Sequence, residues 1–350
     1  MSGTSLDGLD IALCEFEAGQ NNYSFRIIRS QTIEYTTDRR EKLNNTKNAT
    51  ALQYFNLHHL FGKYIAKEVN QFLAGVSEKP SAIASHGHTV FHQPASGFST
   101  QIGCGATIAA NTGFTTVCDF RSMDVANGGQ GAPLVPIGDK FLFGNYDACL
   151  NIGGIANISY DNKKGERIAY DVCFANMTLN YLSERLGKPY DEDGKFAFAG
   201  KVNMALLARL TQLLHLKEKT SLSREHFEKI LLPILLKFDI SNEDKLATFC
   251  NYIADEIAKA LNENDLKNVL ITGGGVYNNY LVNDIKQKFK GEVIIPGNEI
   301  IQFKEALIFA FLGYLRLEEK TNTLKSVTGA KTDSVGGAVY GPSPVFPEGR

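Results

Sequence analysis

The chain has 350 residues and a formal net charge of −2, enough length for two domains that each bury a core. No run of Lys or Arg forms a track for a polyanion, which excludes a general nucleic-acid binder. Six widely spaced cysteines, with no C-x-x-C and no Cys/His cluster at zinc spacing, read as buried thiols in a reducing compartment.

Asp7 and Asp10 interrupt the N-terminus where a secretory signal would be apolar. Asp10–Phe16 and Phe25–Ile33 read as strands flanking a turn-rich segment. From Leu52 to Phe72 apolar residues recur at helical spacing, and Gly75 offers a stop. Short strands are expected at Ala82–Ser85, Thr115–Cys118 and Ala148–Ile152. A helix follows over Met177–Leu186, and Ser241 caps another that carries the Leu246–Leu261 stripe, with Asp244 at the capping-box position. Asn268–Thr272 is a further strand, and Lys304–Leu317 a last helix. Its apolar run, Ala306–Leu315, is too short to cross a bilayer, so a cytoplasmic protein without a membrane partner is expected.

Three glycine turns punctuate this layout, at Gly3-Thr4-Ser5-Leu6-Asp7-Gly8, Gly153-Gly154 and Gly273-Gly274-Gly275, the last followed by Asn278. Glycine lets backbone N–H groups approach an anion closely, and a nearby carboxylate such as Asp7 can hold a magnesium ion. Three such turns, each beside an apolar strand, point to a nucleotide gripped from two sides by an α/β protein with duplicated halves and a cleft. No P-loop or dinucleotide fingerprint is present.

The densest polar cluster is Cys118–Leu134, in which Arg121 reads either as a structural partner of an Asp or as a clamp on a substrate carboxylate or sugar oxygens. Gln130 and its glycines would shape the pocket wall. Asp171 reads equally as a general base, a helix cap or a surface charge. Ser85–His92, with Thr89 and three histidines, reads as a polar strand end lining a substrate pocket rather than a metal site. Glu305 is either a first-turn charge or a cleft residue.

Taken together, Met1–Gly8, Ser85–His92, Asp119–Pro136, Asn151–Asn157 and Val327–Ala330 closely resemble the anhydro-N-acetylmuramic acid kinases, nearly from end to end. That family has the two-domain, ribonuclease H-like fold of the actin and hexokinase ATPases, with an interdomain cleft. The resemblance implies one domain over 1–135 plus 318–350 and another over 136–317. It implies an ATP- and magnesium-dependent enzyme of peptidoglycan recycling, commonly a homodimer, that opens 1,6-anhydro-N-acetylmuramic acid with water and phosphorylates O6. Asp171 would be the base. Arg121, Glu305, Thr89 and Gln130 would bind the sugar. Gly3, Thr4, Ser5, Asp7, Gly8, Gly153, Gly154, Gly273–Gly275 and Asn278 would bind the nucleotide, with Asp7 toward the metal.

Three departures stand out. The family has a short strand ahead of Met-Ser-Gly-Thr-Ser, so Asp10–Phe16 is expected to lack its hairpin partner. Many members read Asp-x-Gly-Pro-Gly-Asn where this chain has Asp171-Val172-Cys173-Phe174-Ala175-Asn176, and His88 stands where glutamine is common. A sugar- or nucleotide-binding homologue without catalysis, or a kinase for another anhydro sugar, is the alternative.

Overall fold

The computed structural model describes residues 1–3, 6–19, 22–214 and 222–341. It divides into two compact units, Met1–Leu142 with Phe303–Arg350, and Phe143–Gln302. The expected division at 135 and 317 is therefore corrected: the helix Pro136–Leu142 and most of the helix Asn298–Leu317 belong to the first unit. Packing is the reason. Gly138 lies so close to Ile308 that an added Cβ would sit 2.5 Å from its side chain. Lys304 and Asp139, 7% and 6% exposed, form a buried ion pair at 2.7 Å.

In the first unit, β1 (Gly8–Ala18) and β2 (Tyr23–Glu34) form an antiparallel ribbon, so the Asp10–Phe16 strand does have a hairpin partner. The helix Ala51–Leu73 starts at a complete capping box between Thr50 and Gln53. It buries Phe61, Ile65, Val69 and Phe72 against Leu9, Leu13, Ile102 and Ile108. After it come β3 (Ala82–Ser85), β4 (His88–Gln93), β5 (Phe98–Ile102) and β6 (Thr115–Cys118). β6 lies between β3 and the strand Ala338–Tyr340, while β4 and β5 pair with each other. Among the described residues no ladder joins β1 to β3. A cavity of about 580 Å³ lies between them, its lining including Leu9, Ile11, Leu13, Ile83, Ala84 and Phe309. Ser2 links β1 to β4 through isolated bridges to Leu9 and His88.

The second unit is built on one five-stranded sheet. β7 (Ala148–Ile152), β8 (Ile155–Asp161) and β9 (Arg167–Phe174) form an antiparallel meander; β10 (Asn268–Thr272) runs parallel to β7, and β11 (Glu292–Ile294) parallel to β10. The order β11-β10-β7-β8-β9 is that of the ribonuclease H-like, actin-type domain. Its principal helix, Asn242–Glu263, is capped by the Ser241 hydroxyl accepting from Asp244 N–H at 3.0 Å. Leu246, Phe249, Cys250, Ile253, Ile257 and Leu261 on its apolar stripe are fully buried. No helix among the described residues is long and apolar enough to cross a membrane.

Candidate functional site

In the first unit a bonded cluster forms around Arg121. β3 ends at Ser85, Gly87 turns the chain at a φ of +71°, and β4 begins at His88, so His86 and His88 do not share one strand face. His86 is buried instead and accepts from Arg121 through a single nitrogen, Nε2, from Nε–H at 3.1 Å and Nη2–H at 2.9 Å. Arg121 Nη1 donates to the Gly131 carbonyl at 2.6 Å. A ring nitrogen that accepts from a guanidinium carries no proton, so the His86 proton resides on Nδ1, which faces the Gly87 carbonyl at 3.1 Å. Burial and the Arg121 charge hold the His86 imidazole well below the ordinary histidine range. Burial also lowers Arg121 to about 10, which leaves it charged at neutral pH, and Glu305 opposes that lowering. Glu305 has an exposed side chain, yet the protein packed round it and the Asp10 charge raise its carboxyl above the usual range.

Asp124 organises the loop that carries Arg121 and Gln130. It is 1% exposed and accepts from the Gly131 N–H and the Thr328 hydroxyl, each at 2.7 Å. Gln130 itself is exposed, with its backbone N–H bonded to the Thr328 carbonyl at 2.9 Å. Asp119 bonds the Ser122 hydroxyl at 2.6 Å, and Arg121 makes its bonds elsewhere. Thr89 is half-buried in β4 opposite Gln101. The His88 Nδ1 meets the Ser2 hydroxyl at 3.2 Å, and Tyr35 donates to the same hydroxyl at 2.8 Å. His88 thereby ties down the start of the first glycine loop. In that loop Asp7 is exposed, its carbonyl accepting from Tyr35 N–H at 3.2 Å, and Leu6 N–H donates to the Gly3 carbonyl at 3.3 Å. Gly8 packs on the Ile33 carbonyl. Thr4 and Ser5 lie outside the described residues.

In the second unit two glycine turns meet. β7 and β10 are parallel neighbours, and each runs out at its carboxyl end into a turn, Gly153-Gly154 and Gly273–Gly275, the position where open α/β sheets receive ligands. Gly273 adopts a φ of +86°, and a Cβ there would lie 2.6 Å from Asn151 Oδ1 and 2.8 Å from the Ile152 carbonyl. Only glycine allows that approach. The carbonyls of Gly153 and Gly154 accept from Asn176, Ala175 and Met177 N–H groups at 2.9–3.1 Å, which satisfies the start of the helix Asn176–Glu184. Asn176 Nδ2 donates to the Ile152 carbonyl at 3.1 Å. Asn278 is committed as a buried helix cap, its Oδ1 accepting from Leu281 N–H at 3.0 Å.

Asp171 lies within β9 rather than at its end, because Val172-Cys173-Phe174 continues the strand and buries Cys173 and Phe174. It stands opposite Asn157, next to a bulge in β9 at Val172, since the adjacent pair is Cys173 with Ala156, a device that re-aims side chains. Its Oδ2 accepts from Leu222 N–H at 2.8 Å.

Sequence reasoning missed His86 as the partner of Arg121 and Asp124 as the anchor of its loop. A charge in the short helix Ser122–Ala126 reads as solvated, and its partner Thr328 lies 204 residues away.

The family model described as anhydro-N-acetylmuramic acid kinase matches residues 1–342. The chain is 34% identical to the anhydro-N-acetylmuramic acid kinase of Legionella pneumophila (strain Corby), covering 97% of this chain and 96% of the relative. It is 37% identical to that of Vibrio vulnificus (strain CMCP6), again over 97% and 96%. Among solved structures, an activator of 2-hydroxyisocaproyl-CoA dehydratase from Clostridium difficile with bound ADPNP aligns at 14% identity and a TM-score of 0.42, over 88% of this chain and 96% of that one.

Proposed function

The chain belongs to the anhydro-N-acetylmuramic acid kinase family and is a sugar kinase, and on that premise we propose the following reaction and residue roles. The substrate is 1,6-anhydro-N-acetylmuramic acid and the phosphoryl donor is ATP. Water adds to C1, the C1–O6 bond breaks, and O6 takes the γ-phosphoryl group, giving N-acetylmuramic acid 6-phosphate and ADP. The observation that carries this reading is the match over residues 1–342, which includes every motif described above.

Asp171 is the base that takes the proton from the attacking water. Its support is a half-buried carboxylate next to a bulge, on the strand that leads into Asn176 and the glycine turns. A carboxylate there also favours the positive charge that develops at the acetal carbon. Arg121 binds the substrate carboxylate, with Glu305, Thr89 and Gln130 around the sugar. Gly153-Gly154 and Gly273–Gly275 present backbone to the phosphates, and the committed side chain of Asn278 gives it a supporting role in shaping the adenosine side.

A magnesium ion fits the first loop through Asp7. Mg²⁺ is commonly held by one or two carboxylates together with phosphates and waters, and Asp7 offers an exposed carboxylate. When bound, the ion would neutralise the phosphates. A cytoplasmic homodimer completes the proposal.

The test is ADP release from Mg-ATP with and without the anhydro sugar. Sugar-dependent release supports the kinase; saturable sugar binding with no release in its presence favours the non-catalytic homologue.

A further inference from the structure

Arg121 has five N–H donors. Two are used on His86 Nε2, from Nε and Nη2, and one, from Nη1, on the Gly131 carbonyl. One N–H is left on each terminal nitrogen, the number a carboxylate needs for a two-point contact. The Nε and Nη2 side of the guanidinium is thus turned inward onto an imidazole, and the two terminal nitrogens supply the remaining donors.

We propose that His86 is the positioning residue of the sugar site: a neutral acceptor that aims the Arg121 guanidinium while leaving its positive charge for the substrate carboxylate. This rests on the reading of Arg121 as the contact to that carboxylate.

The choice of imidazole is what gives the arrangement its chemistry. An Asp or Glu at position 86 would make stronger bonds to Arg121 but would cancel its charge before substrate arrived. An imidazole supplies the acceptor without the charge. Phe309 keeps it in place, the two ring centroids 4.6 Å apart, and Phe120 packs on Phe309 at 5.7 Å. The Nδ1–H bond to the Gly87 carbonyl fixes the tautomer with Nε2 free to accept.

Acid is expected to undo this. Protonated at Nε2, His86 can no longer accept, and two cations then face each other. The charged and titratable groups around it are Arg121, the Met1 amino group and His88, with Glu305 facing Arg121 and Asp10 beside the Met1 amino group. His86→Gln separates its contribution from theirs, because an amide oxygen accepts without titrating.

The experiment measures KM for the anhydro sugar and for ATP in wild type, His86→Gln, His86→Leu, His86→Glu and Arg121→Ala, with thermal unfolding of each. At pH 7.5 His86→Gln is expected to stay within about threefold of wild type in sugar KM, and His86→Leu and His86→Glu to rise at least about tenfold, with KM for ATP unchanged. Equal sugar KM in the Gln and Leu variants, or a Glu variant as good as Gln, overturns the proposal. An unchanged sugar KM in Arg121→Ala overturns the underlying reading of Arg121 instead. A raised KM in Arg121→Ala with none in His86→Leu overturns the positioning role alone. Should His86→Leu fail to fold, the Gln and Glu variants carry the comparison.

Discussion

The Thr328 hydroxyl donates to Asp124 Oδ1 at 2.7 Å across 204 residues of sequence. This bond joins the two motifs 119–136 and 327–330, and the other Asp124 oxygen holds the Gly131 N–H at 2.7 Å. Since the Gly131 carbonyl in turn receives Arg121 Nη1–H, Asp124 acts on the proposed sugar site from one layer behind it.

Replacing Asp124 by Ala leaves a buried N–H and a buried hydroxyl short of their acceptor, a loss of about 2–4 kcal/mol. Thermal unfolding is expected to show the lower midpoint, and the sugar KM to rise as the Gly131 carbonyl loses its fixed place. A variant with normal stability would mean that the loop finds equivalent bonds elsewhere.

Asp171→Asn preserves the shape of the side chain and an oxygen for the Leu222 N–H but removes the base. Ring opening and phosphorylation are expected to fall together by about 10²–10⁴-fold, with sugar binding by calorimetry nearly unchanged. Substantial residual turnover would remove Asp171 from the mechanism.

Gly273→Ala places a Cβ at a φ of +86° and against Asn151 and Ile152. The positive φ alone costs about 1–3 kcal/mol, and the crowding pushes the two glycine turns apart. KM for ATP is expected to rise well before KM for the sugar. The opposite order would place this turn on the sugar side.

The buried Lys304–Asp139 pair locks the helix Asn298–Leu317 onto the helix Pro136–Leu142. Lys304→Met strips the buried carboxylate of its cation and is expected to cost about 3–5 kcal/mol. The double change Lys304→Met with Asp139→Leu should recover much of that loss, as thermal unfolding of the three proteins will record. No recovery would mean that Asp139 is held mainly by its other bonds.

His86 also gives stability a direction with pH. Its folded value lies well below the unfolded 6.5, so the unfolded chain binds the extra proton between the two. The stabilisation is complete above pH 6.5 and is lost as pH falls toward the folded value. Wild type should therefore lose thermal stability on acidification more steeply than His86→Gln, and parallel curves would contradict the assignment.

Much of the fold was legible where the signal is local. β3, β6, β7 and β10 coincide with the short apolar runs read from sequence, because such runs bounded by turn residues leave few alternatives. The Ser241 cap was equally readable, a side chain acting three residues away. The helix expected over Lys304–Leu317 begins earlier, at Asn298. Asp171 lies inside β9, because Val172 to Phe174 are apolar and continue the strand, Cys173 and Phe174 pairing with Ala156 and Ile155. The glycine turns could be named as ligand loops, but their meeting at the carboxyl ends of β7 and β10 follows from a parallel pairing over about 120 residues, which no local pattern encodes. The His86–Arg121 and Asp124–Thr328 bonds are hidden for the same reason.

The most direct test of the coupled reaction is the product formed in water enriched in oxygen-18. The account predicts a sugar phosphate heavier than substrate by one water and one phosphoryl group, with a single heavy oxygen retained on the sugar and none in its phosphate. Label found in free phosphate alongside ADP, with the anhydro sugar recovered intact, would contradict it.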